Sequence, residues 1–346
     1  MEVDLRNVEK ILIMDLLYLG DLLFATPFIR NLRNNFPGVE IDLVANASFS
    51  NIVDNNPNLD HVYSYDKSWG IKQSWNFAAN IVKNDYDLGL NIHGNWRTIL
   101  LMSIINPDYN IGVGEERGKG LFLDHKLLPV KGKHMVNVYL DFLKQLDLKV
   151  SSNKKTELIV KKEARKTLQE EILPEEIINR KDKKLIGLNT GGSWPTKRWY
   201  KSHFARLADK ILTNSDHQVV FFGGPGDVDR VNNIIAKMET TPFNTAGKTS
   251  IDELAALAEE CDLVISGDSG PVHVAAAVET PTITLFGPSD EKKYRPFGEN
   301  HQIIKREMEC RPCGEHECPL GHHDCMKKLK PEEVYKIIEE SGELNA

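Results

Sequence analysis

Residues 11–36 read ILIMDLLYLGDLLFATPFIRNLRNNF, and their pattern decides the fold class. Ile11–Met14 is a short unbroken apolar run, suited to a strand covered on both faces. A loop leads to Gly20-Asp21, after which Leu22, Leu23, Phe28, Ile29, Leu32 and Phe36 recur at helical spacing. Strand, glycine turn and amphipathic helix form one unit, and the unit repeats. Val39–Val44 and Asp87–Ile92 read as further strands, and Tyr139–Leu146 as a helix closing the first half. A charged stretch, Lys149–Lys184, reads as a connector containing a helix, and the pattern then restarts. Leu185–Asn189, Gln218–Phe222, Leu263–Ser266 and Thr282–Phe286 read as strands; Ser202–Leu212, Val228–Met238, Pro271–Val278 and Pro331–Glu340 read as helices. Alternating strands and helices predict an α/β fold of parallel sheets, with ligands held at the carboxyl ends of the strands and a cleft between the halves.

The chain has 346 residues, enough for two domains with cores of their own. Its 41% hydrophobic and 27% charged residues are those of a globular protein, which excludes collagen-like, coiled-coil and disulfide-scaffold classes. The net charge of −7 argues against a nucleic-acid module. The opening MEVDLRNVEKILIMDLL is too acidic and its apolar run too short for a secretory signal, and no run of 18 apolar residues occurs, so a cytoplasmic location is expected.

Two nucleotide signatures fail. Ala246-Gly247-Lys248-Thr249 ends like a P-loop, but Pro242 stands where its first glycine belongs; Gly112-Val113-Gly114 is followed by Arg117 in place of the third glycine of a dinucleotide fingerprint. Three other stretches carry chemistry. In Ile265-Ser266-Gly267-Asp268-Ser269-Gly270-Pro271-Val272-His273, a strand ends in a small-residue turn that opens a helix, so the amides of Ser269 and Gly270 can face a diphosphate. The plainer reading is a well-capped buried helix, with Asp268 a local acceptor and His273 a core histidine. Thr190–Trp199 also follows a strand: Gly191 and Gly192 permit close approach, Ser193 and Thr196 offer hydroxyls, and Lys197 or Arg198 can neutralise phosphate. The alternative is a loop with Trp199 packed and its cations solvated. Asp21 reads either as a helix N-cap or as a carboxylate that accepts a proton from a nucleophile.

Together, Gly20-Asp21 with Leu22–Pro27, Gly192–Trp199, Gly267–His273 and Leu285-Phe286-Gly287-Pro288-Ser289-Asp290 resemble glycosyltransferase family 9, the ADP-heptose:lipopolysaccharide heptosyltransferases. The resemblance implies a GT-B fold, two Rossmann-like domains facing across a cleft: 1–165 for the acceptor, 166–330 for the nucleotide sugar, and a final helix in 331–346 returning to the first domain. It implies an inverting transfer of heptose from a nucleotide diphosphate sugar to a lipid-linked inner-core acceptor, at the cytoplasmic face of the inner membrane. Asp21 is then the general base and Lys197 the cation on the donor diphosphate. Gly192, Ser193, Asp268, Ser269, Gly270 and His273 belong to the donor site, Asp227 to the ribose and Thr249 to the adenine. His93 and Arg97 are candidates for the acceptor, and catalysis needs no cofactor. The sequence departs from the family pattern at Asp15, where many members have a basic or small residue. Rival readings are a family 9 transferase for another surface glycan or a protein, a GT-B nucleotide-sugar epimerase, and a non-catalytic nucleotide-sugar binder.

Four of the five cysteines, Cys310, Cys313, Cys318 and Cys325, fall within 16 residues that also hold three histidines. They could ligate structural zinc or iron, although their spacings of two, four and six are not those of paired zinc knuckles; reduced thiols or a local disulfide are the other readings. The segment 310–325 is expected to be dispensable for transfer, and Cys261 to be core.

Overall fold

The structure, a computed structural model, describes residues 5–92, 94–113 and 119–342. His93, and Gly114 and Arg117 of the rejected dinucleotide match, lie outside the described residues. The chain divides into two compact units, Met1–Ile159 and Val160–Ala346.

The first unit is a parallel sheet of β1 (Lys10–Asp15), β2 (Glu40–Asn46), β3 (His61–Tyr65), β4 (Leu88–Asn91), β5 (Tyr109–Val113) and β6 (His125–Leu127), in the order β3-β2-β1-β4-β5-β6. The second contains β7 (Leu185–Asn189), β8 (Gln218–Phe222), β9 (Phe243–Asn244), β10 (Leu263–Gly267), β11 (Thr282–Phe286) and β12 (His301–Lys305), in the order β12-β11-β10-β7-β8-β9. Counted within each unit, both sheets have the order 3-2-1-4-5-6. The strand order reverses between β1 and β4 in one and between β7 and β10 in the other, and ligands of such sheets bind at the carboxyl ends of those strands.

Ile11–Met14 are fully buried, as an apolar central strand requires. Each such side chain contributes roughly 1.5–3 kcal/mol when taken from water. The central strands β7, β10 and β11 are buried along their whole length. In the second unit, Trp199, Phe204, Leu207 and Ile211 pack with Val334, Tyr335 and Ile338, and the Trp199 indole donates to the Leu329 carbonyl at 2.9 Å. The final helix, Pro331–Glu340, therefore buries its apolar face in the second unit against helix Lys201–Asn214, where the sequence reading had it returning to the first.

The expected connector is largely absorbed into the two units. Residues 149–157 run along helix Thr26–Asn35, whose polar side chains pin their backbone. The amides of Lys149, Ser151 and Glu157 donate to Asn35 Oδ1 (3.0 Å), Asn31 Oδ1 (2.6 Å) and Thr26 Oγ1 (3.0 Å). Helix Lys162–Thr167 already belongs to the second unit, with Lys161 and Arg165 paired to Asp252 and Glu259. The boundary thus falls at 159/160, where the sequence reading placed it at 165.

Candidate functional site

At the reversal point of the second sheet, Asn189 ends β7 and joins two loops. Its Nδ2 donates to Ser266 Oγ (2.9 Å) and Ser269 Oγ (2.8 Å), and those hydroxyls lie 3.0 Å apart. Ser269 is the N-cap of helix Gly270–Ala277, yet its side chain makes no capping bond, because the hydroxyl is engaged with Asn189 and Ser266. The first-turn amides keep their positive end for an external acceptor.

Asp268 stands beside this turn, 4% exposed. Lys197 Nζ lies 2.7 Å from its Oδ2, and His273 Nε2 3.8 Å from its Oδ1. Burial alone would raise the Asp268 pKa. The His273 hydrogen bond and the Lys197 charge outweigh it and hold the carboxyl at about 2. Lys197 also lies over the Trp194 ring, 4.3 Å from its centroid. The loops touch directly: a Cβ on Gly267 would lie 2.8 Å from the Lys197 carbonyl oxygen, so only glycine fits there.

Loop 190–199 is braced by two guanidinium groups. Arg198 Nε donates to the Gly192 carbonyl at 2.7 Å, and Arg230 Nε to that of Thr190 at 2.8 Å. Arg198, read from the sequence as a phosphate cation, is thus occupied with its own loop, and Arg230 and Asn189 went unread. Arg230 lies mid-helix in Val228–Ile235 with no local motif to single it out. Asn189 is the last residue of a strand, where a polar residue after an apolar run was the available signal. Gly192 is half-buried and Ser193 exposed. Asp227 accepts from the Gly224 amide at 3.2 Å and packs so closely on the loop that a Cβ on Gly191 would lie 2.7 Å from its Oδ2. Thr249 is half-buried just before Ser250, the N-cap of helix Ile251–Glu260, and Gly247 of its loop donates to the Gly223 carbonyl at 2.9 Å. Lys197, Asp268, Ser269, Gly270, His273, Gly192 and Asp227 are therefore gathered at one end of one sheet, with Thr249 on the adjoining loop.

The first sheet carries acids at its own reversal point. Asp21 is half-buried in the first turn of helix Leu19–Phe24, whose N-cap is Tyr18; the N-cap reading of Asp21 is thereby corrected. Asp15, the last residue of β1, is 1% exposed. Its Oδ1 accepts from the Leu17 amide at 2.9 Å, and its Oδ2 has no hydrogen bond among the described residues. Burial, reinforced by the nearby Asp21 charge, raises its pKa to about 7 against the pull of the Leu17 amide and Lys67. A cavity of about 470 Å³ opens alongside, lined by Tyr18, Lys67, Asn95, Trp96 and Arg97. Lys67 Nζ lies 4.9 Å from the Tyr18 ring centroid, and Arg97 donates to the Lys67 carbonyl. Tyr18 and Trp96 present exposed rings there, 65% and 42% accessible.

The family model of glycosyltransferase family 9 (heptosyltransferase) matches residues 74–323. The chain belongs to glycosyltransferase family 9. A lipopolysaccharide heptosyltransferase 3 of Escherichia coli is 30% identical over 82% of this chain and 84% of its own length. A lipooligosaccharide heptosyltransferase 2 of Campylobacter jejuni is 36% identical over 49% of this chain; the match spans about half of that relative, 53%. Among solved structures, a family 9 glycosyl transferase of Veillonella parvula superposes with a TM-score of 0.86 at 28% identity, covering 98% of both chains. The chain thus has the two Rossmann-like units of the GT-B class.

The cysteine segment lies against loop 190–199. Thr196 Oγ1 donates to the Glu315 carbonyl at 2.7 Å, and the His323 ring Nε2 donates to that of Thr196 at 2.7 Å. His316 stacks on Trp194 with centroids 4.0 Å apart. All five cysteines are free thiols, and Cys261 is core, its thiol pushed up by burial. Cys310, Cys313, Cys318 and Cys325 line one small cavity of about 20 Å³. Among the described residues, however, only Glu40, Asp42 and His61 bring three ligand atoms within 4.8 Å of one another; the thiols stand wider apart. The His323 amide, 3.4 Å away, and those of Leu320, His322 and Gly321 turn toward the Cys318 sulfur and hold its thiol below the ordinary range. Among the described residues, no helix is long and apolar enough to cross a membrane.

Proposed function

We propose that this glycosyltransferase moves heptose, with inversion, from ADP-heptose to a lipopolysaccharide inner-core acceptor. The observation that carries the reading is the Lys197–Asp268 pair set beside an uncapped helix N-terminus at the reversal point of the second sheet. A cation held by Asp268 beside a helix N-terminus without a side-chain cap suits the charge that develops on a departing diphosphate. Lys197 and the amides of Ser269 and Gly270 bind the diphosphate, with Gly192 and Ser193 in the companion loop. Asp268 and His273 position Lys197. Asp227 takes the ribose hydroxyls, and Thr249 lies on the adenine side.

In the reaction, Asp21 takes the proton of an acceptor hydroxyl as that oxygen attacks the anomeric carbon. The bond from that carbon to the diphosphate oxygen breaks, ADP leaves with the electron pair, and the configuration inverts in one displacement. No cofactor takes part in these steps. The acceptor binds at the cavity beside Tyr18, Lys67, Trp96 and Arg97. Exposed rings suit the apolar face of a sugar, and two cations suit anionic substituents on an inner-core acceptor. His93 is kept as an acceptor residue on the sequence reading alone. A lipid-linked acceptor makes the enzyme a peripheral visitor to the cytoplasmic face of the inner membrane.

Calorimetry with ADP, UDP and GDP, followed by mass spectrometry of a truncated inner-core acceptor incubated with ADP-heptose, tests the reading. ADP should bind tightest and one heptose should be added. Conversion of the donor with no acceptor present would sink it.

A further inference from the structure

We propose that Cys310, Cys313, Cys318 and Cys325 hold one thiophilic divalent ion, zinc or iron, and that this ion fixes the donor loop through Thr196, Trp194 and Lys197. Four unpaired thiols share a single cavity, whose size suits one small occupant. The turn after Cys318 directs backbone amides at its sulfur, as metal-thiolate turns do, the His323 N–H lying at 3.4 Å. Gly314 and Gly321 supply the left-handed corners, φ +70° and +68°, that such turns need. Arg311, its side chain 4% exposed and paired to Glu291 at 3.3 Å, borders the same cavity.

His323 is engaged with the Thr196 carbonyl, His316 with the Trp194 ring and His322 Nδ1 with the Asp324 amide, and the four cysteines form the proposed ligand set. Four sulfurs at about 2.3 Å from one ion would stand closer together than they do here, so binding draws the turn at 310–314 toward the turn at 318–325 and releases the thiol protons to solvent. Both turns are fastened to the donor site: Glu315 and His323 hold Thr196, His316 stacks on Trp194, Gly314 N donates to the Pro288 carbonyl at 2.9 Å, and Arg311 donates to that of Gly287. The ion is thus a positioning element for Lys197 and touches no reacting atom. Only the words "donor loop" rest on the function proposed above; the metal and the ordering of 192–198 do not.

The test uses the full chain purified under reducing conditions. Elemental analysis should find one zinc or iron per chain. After stripping, titration with Co²⁺ should give a thiolate-to-cobalt charge-transfer band that is absent in Cys318→Ser and retained in Cys261→Ala. Hydrogen exchange at the amides of Lys197 and Arg198 should accelerate about tenfold on stripping and return with Zn²⁺, while β7 stays protected. A reduced chain that takes up neither Zn²⁺ nor Co²⁺, or one whose 192–198 exchange is indifferent to the ion, overturns the proposal. Because stripping and reloading use the wild-type chain, misfolding of a variant cannot blur the result. An ion that orders the loop in a chain unable to bind ADP would leave this inference standing and remove the donor reading.

Discussion

Asp15 and Asp268 occupy matching places, each at the carboxyl end of a central strand where the strand order reverses, and each nearly sealed from water. Their ionisation is opposite. Asp268 has Lys197 at 2.7 Å and His273 at 3.8 Å, and stays charged down to about pH 2. Asp15 has one amide, an unpaired oxygen and a second acid nearby, and holds its proton to about pH 7. Burial acts equally on both, so the difference teaches that compensation by neighbours, and not depth, decides which end of a shared topology is anionic. The proposed anion site lies at the second sheet's end, whose own acid is already matched. The first sheet's end carries two acids, Asp15 and Asp21, that act on one another and on Lys67.

The comparison breaks most sharply at Asp21. Asp21→Asn should lower kcat by about 10³-fold while calorimetric ADP binding is kept, since it removes only the proton acceptor. Unchanged turnover would take Asp21 out of the reaction. At the other acid, Lys197→Met strips Asp268 of its cation and should cost about 3 kcal/mol in urea unfolding as well as ADP affinity. Adding Asp268→Asn should restore most of the stability and none of the affinity. If the double variant is no more stable than the single one, the pair is not the source of the depressed Asp268 pKa.

Acid-base linkage sharpens the contrast. The folded pKa of Asp268 is depressed, so its contribution is present above about pH 4 and is lost as pH falls toward 2, a change of about 2 kcal/mol. The folded pKa of Asp15 is raised, so its sign is reversed: stability falls as pH climbs from about 4 to 7, by up to about 4 kcal/mol. Asp15→Asn should flatten the neutral limb of a Tm-against-pH profile and leave the acid limb; a profile identical to wild type would refute the buried, proton-holding state. The smallest effect is expected at Arg97, exposed on the rim of the cavity. Arg97→Ala should raise the acceptor KM severalfold, about 1 kcal/mol, without moving the donor KM.

The central strands were legible because burial on both faces leaves unbroken apolar runs, as in Ile11–Met14 and Leu263–Ser266. β3, β6, β9 and β12 were not read. Each is the outermost strand on its side of its sheet, half-exposed and without a clean pattern, such as His61–Tyr65 and the two residues Phe243–Asn244. β5 escaped because Gly112 and Val113 were weighed as part of a dinucleotide loop. The candidate donor residues could be named from loops that follow strands, whereas Arg230 and Asn189 reach those loops only through the fold.

The sequence by itself determined two α/β units, the loops that end their central strands and the chemical types available there, since burial periodicity and glycine turns are local properties of the chain. Tertiary structure alone decided which charges meet. Lys197 and Asp268 are 71 residues apart and touch because Gly267 lets two loops close on each other, while Asp15, six residues before Asp21, finds no cation at bonding distance among the described residues. The same holds for the cysteine segment, which the sequence left open between a metal site, reduced thiols and a disulfide, and whose hold on Thr196 through His323 and Glu315 only the fold supplies. An ionisable group's state depends on the distances and desolvation that packing sets, and these are not written in any one stretch of residues.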